Sequence, residues 1–142
     1  MWFNPIMIWL LKSPLHGFIS KNMMLTTVTG RKSGKQISTP TNYLREGNTL
    51  WVISWRDRTW WKNLRGGAKV QVLLAGKTVQ GRGQVIEEQS AVAQSLFDYY
   101  KQAPQTAKYV QIGLDAAGKP LVADCERAAQ KMVVVRIDID QV

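Results

Sequence analysis

The chain of 142 residues is long enough for one domain with one substantial core, and its composition, 45% hydrophobic and 20% charged, excludes a disordered chain. A single cysteine, Cys125, excludes an internal disulfide, and with the lone His16 it is too little for a structural zinc site, which needs about four ligands. The net charge of +9 falls in residues 1–70, which hold eleven basic and two acidic residues and all six tryptophans. This asymmetry predicts a localised site for a flat, anionic ligand.

Two short helices are predicted at the N-terminus, the first from Asn4 to about Lys12 and the second from Ser13 to about Lys21. The apolar run over residues 6–11 is too short to span a membrane, which takes about twenty residues. No signal peptide is expected, because no positive charge precedes that run. A peripheral contact with a membrane surface stays open through the apolar side chains of this segment, namely Trp2, Phe3, Trp9 and Leu10.

From residue 23 onwards the pattern is mainly that of β-strands. Six strands are predicted, over residues 23–28, 37–44, 50–54, 70–74, 79–86 and 132–139, and the first three are expected to form a meander. Gly81 and Gly83 indicate a bulge or a close backbone approach. A short helical turn is expected over 60–65, with longer helices over 90–103, capped by Ser90, and over 121–131. The expected fold is mainly β: one domain over residues 1–142, a six-stranded antiparallel barrel with flanking helices.

The strongest local signal is a basic turn bracketed by glycines, Gly30-Arg31-Lys32-Ser33-Gly34. Glycines free the backbone to point its amides at an oxyanion, the serine adds a hydroxyl, and the two cations add charge. The turn is not a P-loop, because only three residues separate the glycines and an extended segment follows. The alternative is an ordinary solvated hairpin turn.

A second cluster, Arg56, Arg58 and the pair Trp60–Trp61, follows the end of a strand. Guanidinium groups and aromatic faces there could stack on a planar ligand, or both tryptophans could belong to the core. Asn63 either meets a polar edge of the ligand or caps the backbone locally.

Tyrosines supply the candidate proton donors. Tyr100 and Tyr109 are the freer ones, whereas Tyr99 lies on the apolar stripe of its helix. Cys125 is expected to be a small buried residue. No Gly-x-Ser-x-Gly motif accompanies His16, which argues against a hydrolase triad.

In linear order these elements resemble the deazaflavin-dependent nitroreductase family of flavin/deazaflavin oxidoreductases. The resemblance covers about residues 4–87. It rests on Met24-Leu25-Thr26-Thr27-Val28-Thr29-Gly30-Arg31-Lys32-Ser33-Gly34, Thr39-Pro40, Tyr43-Leu44-Arg45-Glu46-Gly47 and Trp60-Trp61-Lys62-Asn63-Leu64.

The resemblance implies an FMN-binding-like split β-barrel that holds coenzyme F-420, an 8-hydroxy-5-deazaflavin with a phosphate and an oligoglutamate tail. It implies that Arg31, Lys32, Ser33 and Gly34 grip the phosphate and tail. It also implies further cofactor contacts at Pro40, Ser54, Trp55, Arg56, Trp60 and Asn63, and tyrosines on the acceptor side, matching Tyr100 and Tyr109. The implied reaction transfers a hydride between the deazaflavin and a small hydrophobic acceptor such as a quinone, enone or nitro compound.

Related barrels bind FMN, haem or fatty acids, so FMN is the alternative cofactor and a non-catalytic carrier of FMN, haem or lipid is the alternative function. Nucleic-acid binding is not expected, because the chain carries no helix-turn-helix, ribonucleoprotein or zinc signature. No metal is expected. A cytoplasmic homodimer is expected by analogy with other split barrels, with membrane association left open.

Overall fold

The computed structural model describes residues 23–74 and 76–140 of the protein. These residues form seven strands, two α-helices and two 3₁₀ helices. The strands are β1 Met23–Thr29, β2 Gln36–Asn42, β3 Leu44–Glu46, β4 Thr49–Trp55, β5 Ala68–Leu74, β6 Lys77–Ile86 and β7 Met132–Ile139. The helices are α1 Gln89–Gln102 and α2 Val122–Ala129, and the 3₁₀ helices are Trp60–Leu64 and Pro104–Val110. The two helices expected before residue 22 lie outside the described residues.

All seven strands belong to one antiparallel sheet with the order β2-β1-β5-β6-β7-β4-β3. Residues of β2 and β4 approach within 8 Å between Cα atoms although the two strands are not hydrogen-bonded. The sheet therefore curls into a barrel, which confirms the predicted class: mainly β, antiparallel, with flanking helices. Among the described residues, no helix is both long and apolar enough to cross a membrane.

The predicted strand over residues 37–44 is in fact two strands with different partners. The first part, β2, pairs with β1 as far as Asn42, opposite Met23. After Tyr43 the chain pairs with β4 instead, with Leu44 opposite Trp51 and a turn at Gly47. The prediction of six strands and of a simple three-stranded meander is therefore wrong here, because one extended run serves both edges of the sheet.

The barrel core consists of apolar side chains that alternate along the strands, as a half-buried strand requires. The 3₁₀ helix Trp60–Leu64 adds Trp60, Trp61 and Leu64 to this core. The expected close approach at Gly81 is confirmed, because a Cβ there would lie 2.7 Å from the carbonyl oxygen of Asp138 on β7. At Gly83 a Cβ would lie 3.0 Å from the side chains of both Leu64 and Val70, so glycine there allows the 3₁₀ helix to pack closely on the sheet.

A second core lies between the outer face of the sheet and the two α-helices. It includes Cys125, which is buried as expected. Helix α1 begins one residue earlier than predicted and is capped by Glu88, whose carboxylate accepts hydrogen bonds from the amides of Ser90 and Ala91 at 3.2 and 2.8 Å. Ser90 is therefore not the cap, because it lies within the first turn of the helix and its hydroxyl donates to the Glu88 carboxylate.

Candidate functional site

The glycine-bracketed turn joins β1 to β2 and is closed by its own backbone. The Gly30 amide donates to the carbonyl of Lys35 and the Gly34 amide to that of Gly30, both at 2.8 Å. The Lys35 amide donates to the Ser33 hydroxyl at 3.1 Å. Gly34 has φ +70°, and a Cβ on Gly30 would lie 2.8 Å from Ser33 Oγ, so both glycines are needed. Among the described residues, the amides of Lys32 and Ser33 have no hydrogen-bond partner.

The turn is attached to the 3₁₀ helix through one asparagine. Asn63 Oδ1 accepts a hydrogen bond from the Arg31 amide at 3.0 Å, while its Nδ2 donates to the Trp60 carbonyl at 3.1 Å. The Arg31 guanidinium donates to the carbonyl of Arg65. Asn63 thus caps backbone, one of the two roles expected for it, and Arg31 supports the turn as well as charging it.

The two neighbouring tryptophans are both core residues. Trp60 is only 2% exposed and Trp61 1%, so the reading that both belong to the core is the correct one. Trp60 Nε1 donates to the buried Ser54 Oγ at 3.1 Å, and Trp61 Nε1 donates to the Trp55 carbonyl at 3.2 Å. Because the polar atoms of Trp60 and Ser54 are hydrogen-bonded to each other below the surface, we read these residues as structural support for the surface above them. Trp55, at the end of β4, is 43% exposed and can offer a ring to a ligand.

Arg56 holds three segments of backbone together. Its Nη2 donates to the carbonyls of Glu87, Ala129 and Met132 at 2.9, 3.2 and 2.9 Å. Its Nε is buried without a partner among the described residues. These hydrogen bonds lie in the plane of the guanidinium and give Arg56 a structural role, while its expected contact with a ligand stays a prediction. With Trp55, Asp57, Gln130 and Lys131, Arg56 lines a cleft of about 380 Å³.

The carboxylate of Glu87 lies among three cations, namely Arg56, Lys62 and Arg65. The sequence analysis did not bring these residues together. Arg65 forms a two-point ion pair with Glu87, at 3.0 and 2.9 Å, and its guanidinium lies 5.2 Å from the Trp61 ring centroid. Lys62 lies 5.8 Å from the same ring. The hydrogen bond from Arg65 lowers the pKa of Glu87, and the charges of Arg56 and Lys62 lower it further. The one sequence feature that could have indicated this cluster is the spacing of Lys62 and Arg65, which are three residues apart on the helical turn that contains Trp61.

Pro40 and the tyrosines lie elsewhere in the fold. Pro40 is in the middle of the edge strand β2, opposite Leu25, where a missing amide costs little. Tyr100 is not freer than Tyr99: it is 4% exposed, its ring centroid lies 4.9 Å from that of Tyr99, and burial raises its pKa. Helix α1 packs on both β7 and α2, which buries both tyrosines. Tyr109 is 73% exposed beside Lys108.

Comparison with known proteins decides the family. Residues 14–115, more than half of the chain, match the family described as F420H(2)-dependent quinone reductase. The chain belongs to this family. The resemblance to deazaflavin-dependent reductases is thereby confirmed, and so are the F-420 cofactor and an oxidoreductase activity by hydride transfer. No curated protein is significantly similar in sequence.

Solved structures place this quinone reductase family member among the split barrels. An F420-H2 dependent reductase matches with a TM-score of 0.55 and 17% identity, over 84% of this chain and 95% of that one. The FAD and heme binding protein from Mycobacterium smegmatis matches with a TM-score of 0.56 and 12% identity, over 91% and 67%. The general stress FMN/FAD binding protein from Xanthomonas citri matches with a TM-score of 0.51 and 14% identity, over 86% and 78%. At these identities the likeness shows the fold alone.

The described residues fit the anionic end of coenzyme F-420. The turn offers a hydroxyl and two amides that have no partner within residues 23–74 and 76–140, and the exposed basic residues Arg31, Lys32 and Lys35 lie in it or next to it. Such a set suits a phosphate, whose oxygens accept several hydrogen bonds at once. When bound, F-420 supplies the hydride chemistry.

Proposed function

We propose that the Gly30–Gly34 turn binds the phosphate and tail of F-420 and that the protein passes the cofactor's hydride to a small quinone. One observation carries the proposal: the amides of Lys32 and Ser33 have no hydrogen-bond partner among the described residues, and they lie at the tip of a turn that Asn63 fixes to the 3₁₀ helix. A solvated hairpin turn needs no such attachment, whereas an oxyanion site needs its donors fixed before the ligand arrives.

The turn residues act differently from one another in this proposal. The Lys32 ammonium and the Ser33 and Lys32 amides contact the phosphate, and Gly34 supplies the left-handed backbone that aims them. Arg31 contributes charge, but its guanidinium also holds the turn on Arg65. Loss of Lys32 should therefore weaken binding alone, whereas loss of Arg31 should weaken both binding and folding.

The ring of the cofactor is proposed to lie near the exposed Trp55, at the cleft next to Arg56. Ser54, Arg56 and Trp60 are proposed to form the floor of this ring site. Trp60 and Ser54 are hydrogen-bonded to each other, and Arg56 is hydrogen-bonded to backbone carbonyls. Their part is to fix the position of the ring and to exclude water from it. Pro40 stays a proposed cofactor contact on the edge strand next to the turn.

A tyrosine is proposed to protonate the acceptor as the hydride arrives. Tyr109 is the better candidate because its phenol is exposed, whereas the phenol of Tyr100 is enclosed between α1 and α2. A phenol hydroxyl within reach of the acceptor can donate the proton.

We further propose a cytoplasmic homodimer that touches membranes peripherally. Exposed apolar side chains away from the proposed ring site support a contact surface, namely Leu114, Leu121 and Val122, which lie close together around the bridge between Leu114 and Pro120. Quinones partition into lipid, so a peripheral contact would bring the site to its acceptor. Light scattering tests the dimer and co-sedimentation with anionic vesicles tests the contact; a monomer that stays in the supernatant refutes both.

The deciding experiment measures binding and turnover separately. F-420, FMN and haem are titrated into the protein while tryptophan fluorescence is followed, and reduced F-420 is then mixed with a soluble quinone. We expect F-420 to bind best and to be oxidised only when the quinone is present. Binding without oxidation would support a carrier, and preference for FMN or haem would refute the cofactor proposal.

The matched variants are Lys32→Ala and Lys77→Ala, each of which removes one exposed lysine. A charge-assisted hydrogen bond contributes about 1.5–3 kcal/mol, so the Lys32 variant should bind F-420 roughly ten- to a hundredfold more weakly. The rate at saturating cofactor should barely change, because the contact forms equally in the ground and transition states. The Lys77 variant, at the far end of β6, should bind like the wild type.

A further inference from the structure

A second cationic group lies beside the proposed phosphate turn, on the outer face of the sheet. Lys69 of β5 and Arg82 of β6 are directly opposite each other in the antiparallel register, and both are exposed. Like charges placed directly opposite across two strands repel each other. Nothing in the pairing of the sheet requires this arrangement, so a ligand of opposite charge is the natural reason for it.

Arg82 does not form an ion pair with the carboxylate next to it. Its other cross-strand neighbour is Asp138 of β7, but that carboxylate is taken by Arg136 at 3.2 Å and by the Thr49 hydroxyl at 2.8 Å. Within residues 23–74 and 76–140, the Arg82 guanidinium has no carboxylate within 4 Å and no hydrogen-bond partner. It is therefore a cation available for a ligand.

The turn before β5 is built to receive this arginine. A Cβ on Gly67 would lie 3.2 Å from Arg82 Nη2, so the guanidinium lies against the bare Cα of a glycine. Gly66 and Gly67 both have positive φ, +79° and +89°, which side chains rarely adopt. Gly67 keeps the space beside the guanidinium open, and Gly66 supplies the other left-handed residue of the turn.

The same short segment also meets the phosphate turn. The Arg31 guanidinium donates to the carbonyl of Arg65, two residues before Gly67. Two residues of chain span at most about 7 Å, so the sites of Arg31 and Arg82 are neighbours on one surface. A ligand chain that leaves the phosphate turn over Arg65 would arrive at Arg82 and Lys69.

We propose that Arg82 and Lys69, beside the Gly66–Gly67 turn, form a second anion subsite that binds a carboxylate of the oligoglutamate tail. This inference rests on the proposed binding of the phosphate at the Gly30–Gly34 turn. The subsite makes the protein prefer cofactor with a long tail over cofactor with a single glutamate. It has no part in hydride transfer, because the tail is remote from the ring.

The test compares three ligands by tryptophan quenching: F-420 with several glutamates, F-420 with one glutamate, and the deazaflavin without phosphate or tail. The proteins are the wild type, Arg82→Gln, Arg82→Lys, Lys69→Gln and the control Lys77→Gln. Lys77 lies on the same strand as Arg82, five residues away, or roughly 17 Å. All five proteins are compared by thermal unfolding, so that a folding defect is recognised.

Exposed ion pairs contribute up to about 1 kcal/mol, so the wild type should prefer the long tail about three- to fivefold. Arg82→Gln and Lys69→Gln should each reduce that preference, Arg82→Lys should keep part of it, and Lys77→Gln should keep all of it. Affinity for the single-glutamate form should be the same in every protein. The preference should also shrink in high salt, because these charges are exposed.

The outcomes separate this inference from the proposed function. If the single-glutamate form binds the wild type but the long-tail preference is absent, or survives in Arg82→Gln, the second subsite is refuted and the phosphate turn stands. Equal weakening of all tailed forms in Arg82→Gln also refutes it. If neither tailed form binds better than the tailless deazaflavin, the phosphate turn itself is refuted, and the inference with it.

Discussion

Replacing Asn63 with alanine should separate the cofactor turn from the 3₁₀ helix. The asparagine side chain makes two hydrogen bonds, one from the Arg31 amide at 3.0 Å and one to the Trp60 carbonyl at 3.1 Å. The first bond is the one that positions the turn, and the second orients the amide group that accepts it. Asn63→Ala removes both without changing any charge, so its effects report on position alone.

The size of the effect follows from the number and exposure of these bonds. A single hydrogen bond contributes about 0.5–1.5 kcal/mol, and Asn63 is only partly buried, so we expect a loss of about 1–2 kcal/mol in the free energy of unfolding. For a chain of this length that lowers Tm by roughly 3–8 °C. Because the Lys32 and Ser33 amides are then no longer fixed, F-420 affinity should fall about tenfold, which corresponds to about 1.4 kcal/mol.

Thermal unfolding and tryptophan quenching with F-420 measure the two effects on the same samples. Asn42→Ala, at the exposed end of β2, is the matched control and should change neither quantity. Asn63→Asp keeps the oxygen that accepts from Arg31 but loses the donor to Trp60, so it should lose less stability than the alanine variant. If Asn63→Ala lowers Tm and leaves F-420 affinity unchanged, the position of the turn has no bearing on binding and the reasoning is refuted.

Three further predictions use other contacts. Because its pKa is lowered from 4.5, ionised Glu87 stabilises the fold above pH 4.5, and this contribution is lost as the pH falls through the lowered pKa. Glu87→Gln should therefore lower Tm at pH 7, and the difference from the wild type should shrink as the pH falls below 4.5; a difference that does not change with pH would contradict this. Trp60→Phe should cost about 1–2 kcal/mol in urea unfolding, because it leaves the buried Ser54 hydroxyl without its donor. Tyr100→Phe should leave quinone turnover unchanged, and a large loss of turnover would show that the Tyr100 phenol takes part in the reaction.

Much of the fold could be predicted from local patterns. Runs of β-forming and apolar residues are sufficient for β1, β4 and β7, apolar alternation is sufficient for β5, and Pro104 ends α1 where expected. The division of residues 37–46 could not be predicted in the same way. That run is continuously extended, and its two halves differ only in which distant strand they pair with, which is a property of the whole sheet.

The same distinction between local and long-range features applies to the candidate site. The Gly30–Gly34 turn is visible in the sequence because glycines and cations are adjacent along the chain. Arg56 is not visible in this way, because the carbonyls it binds come from Glu87, Ala129 and Met132, which lie 31, 73 and 76 residues further on. A sequence shows which residues carry charge, but not which of the charged side chains form hydrogen bonds or ion pairs within the folded protein.

Glu87 illustrates why this distinction matters for the cofactor. Its carboxylate binds Arg65, whose carbonyl in turn accepts the Arg31 guanidinium of the turn, and its own carbonyl accepts Arg56. Glu87 therefore links the turn to the start of α1. A surface selected only for positive charge would have no use for a carboxylate here. Its presence indicates that the geometry of the arginines matters as much as their number. Among the described residues, Lys32, Lys69 and Arg82 form no ion pair with a carboxylate, and they are the cations that we propose for the ligand.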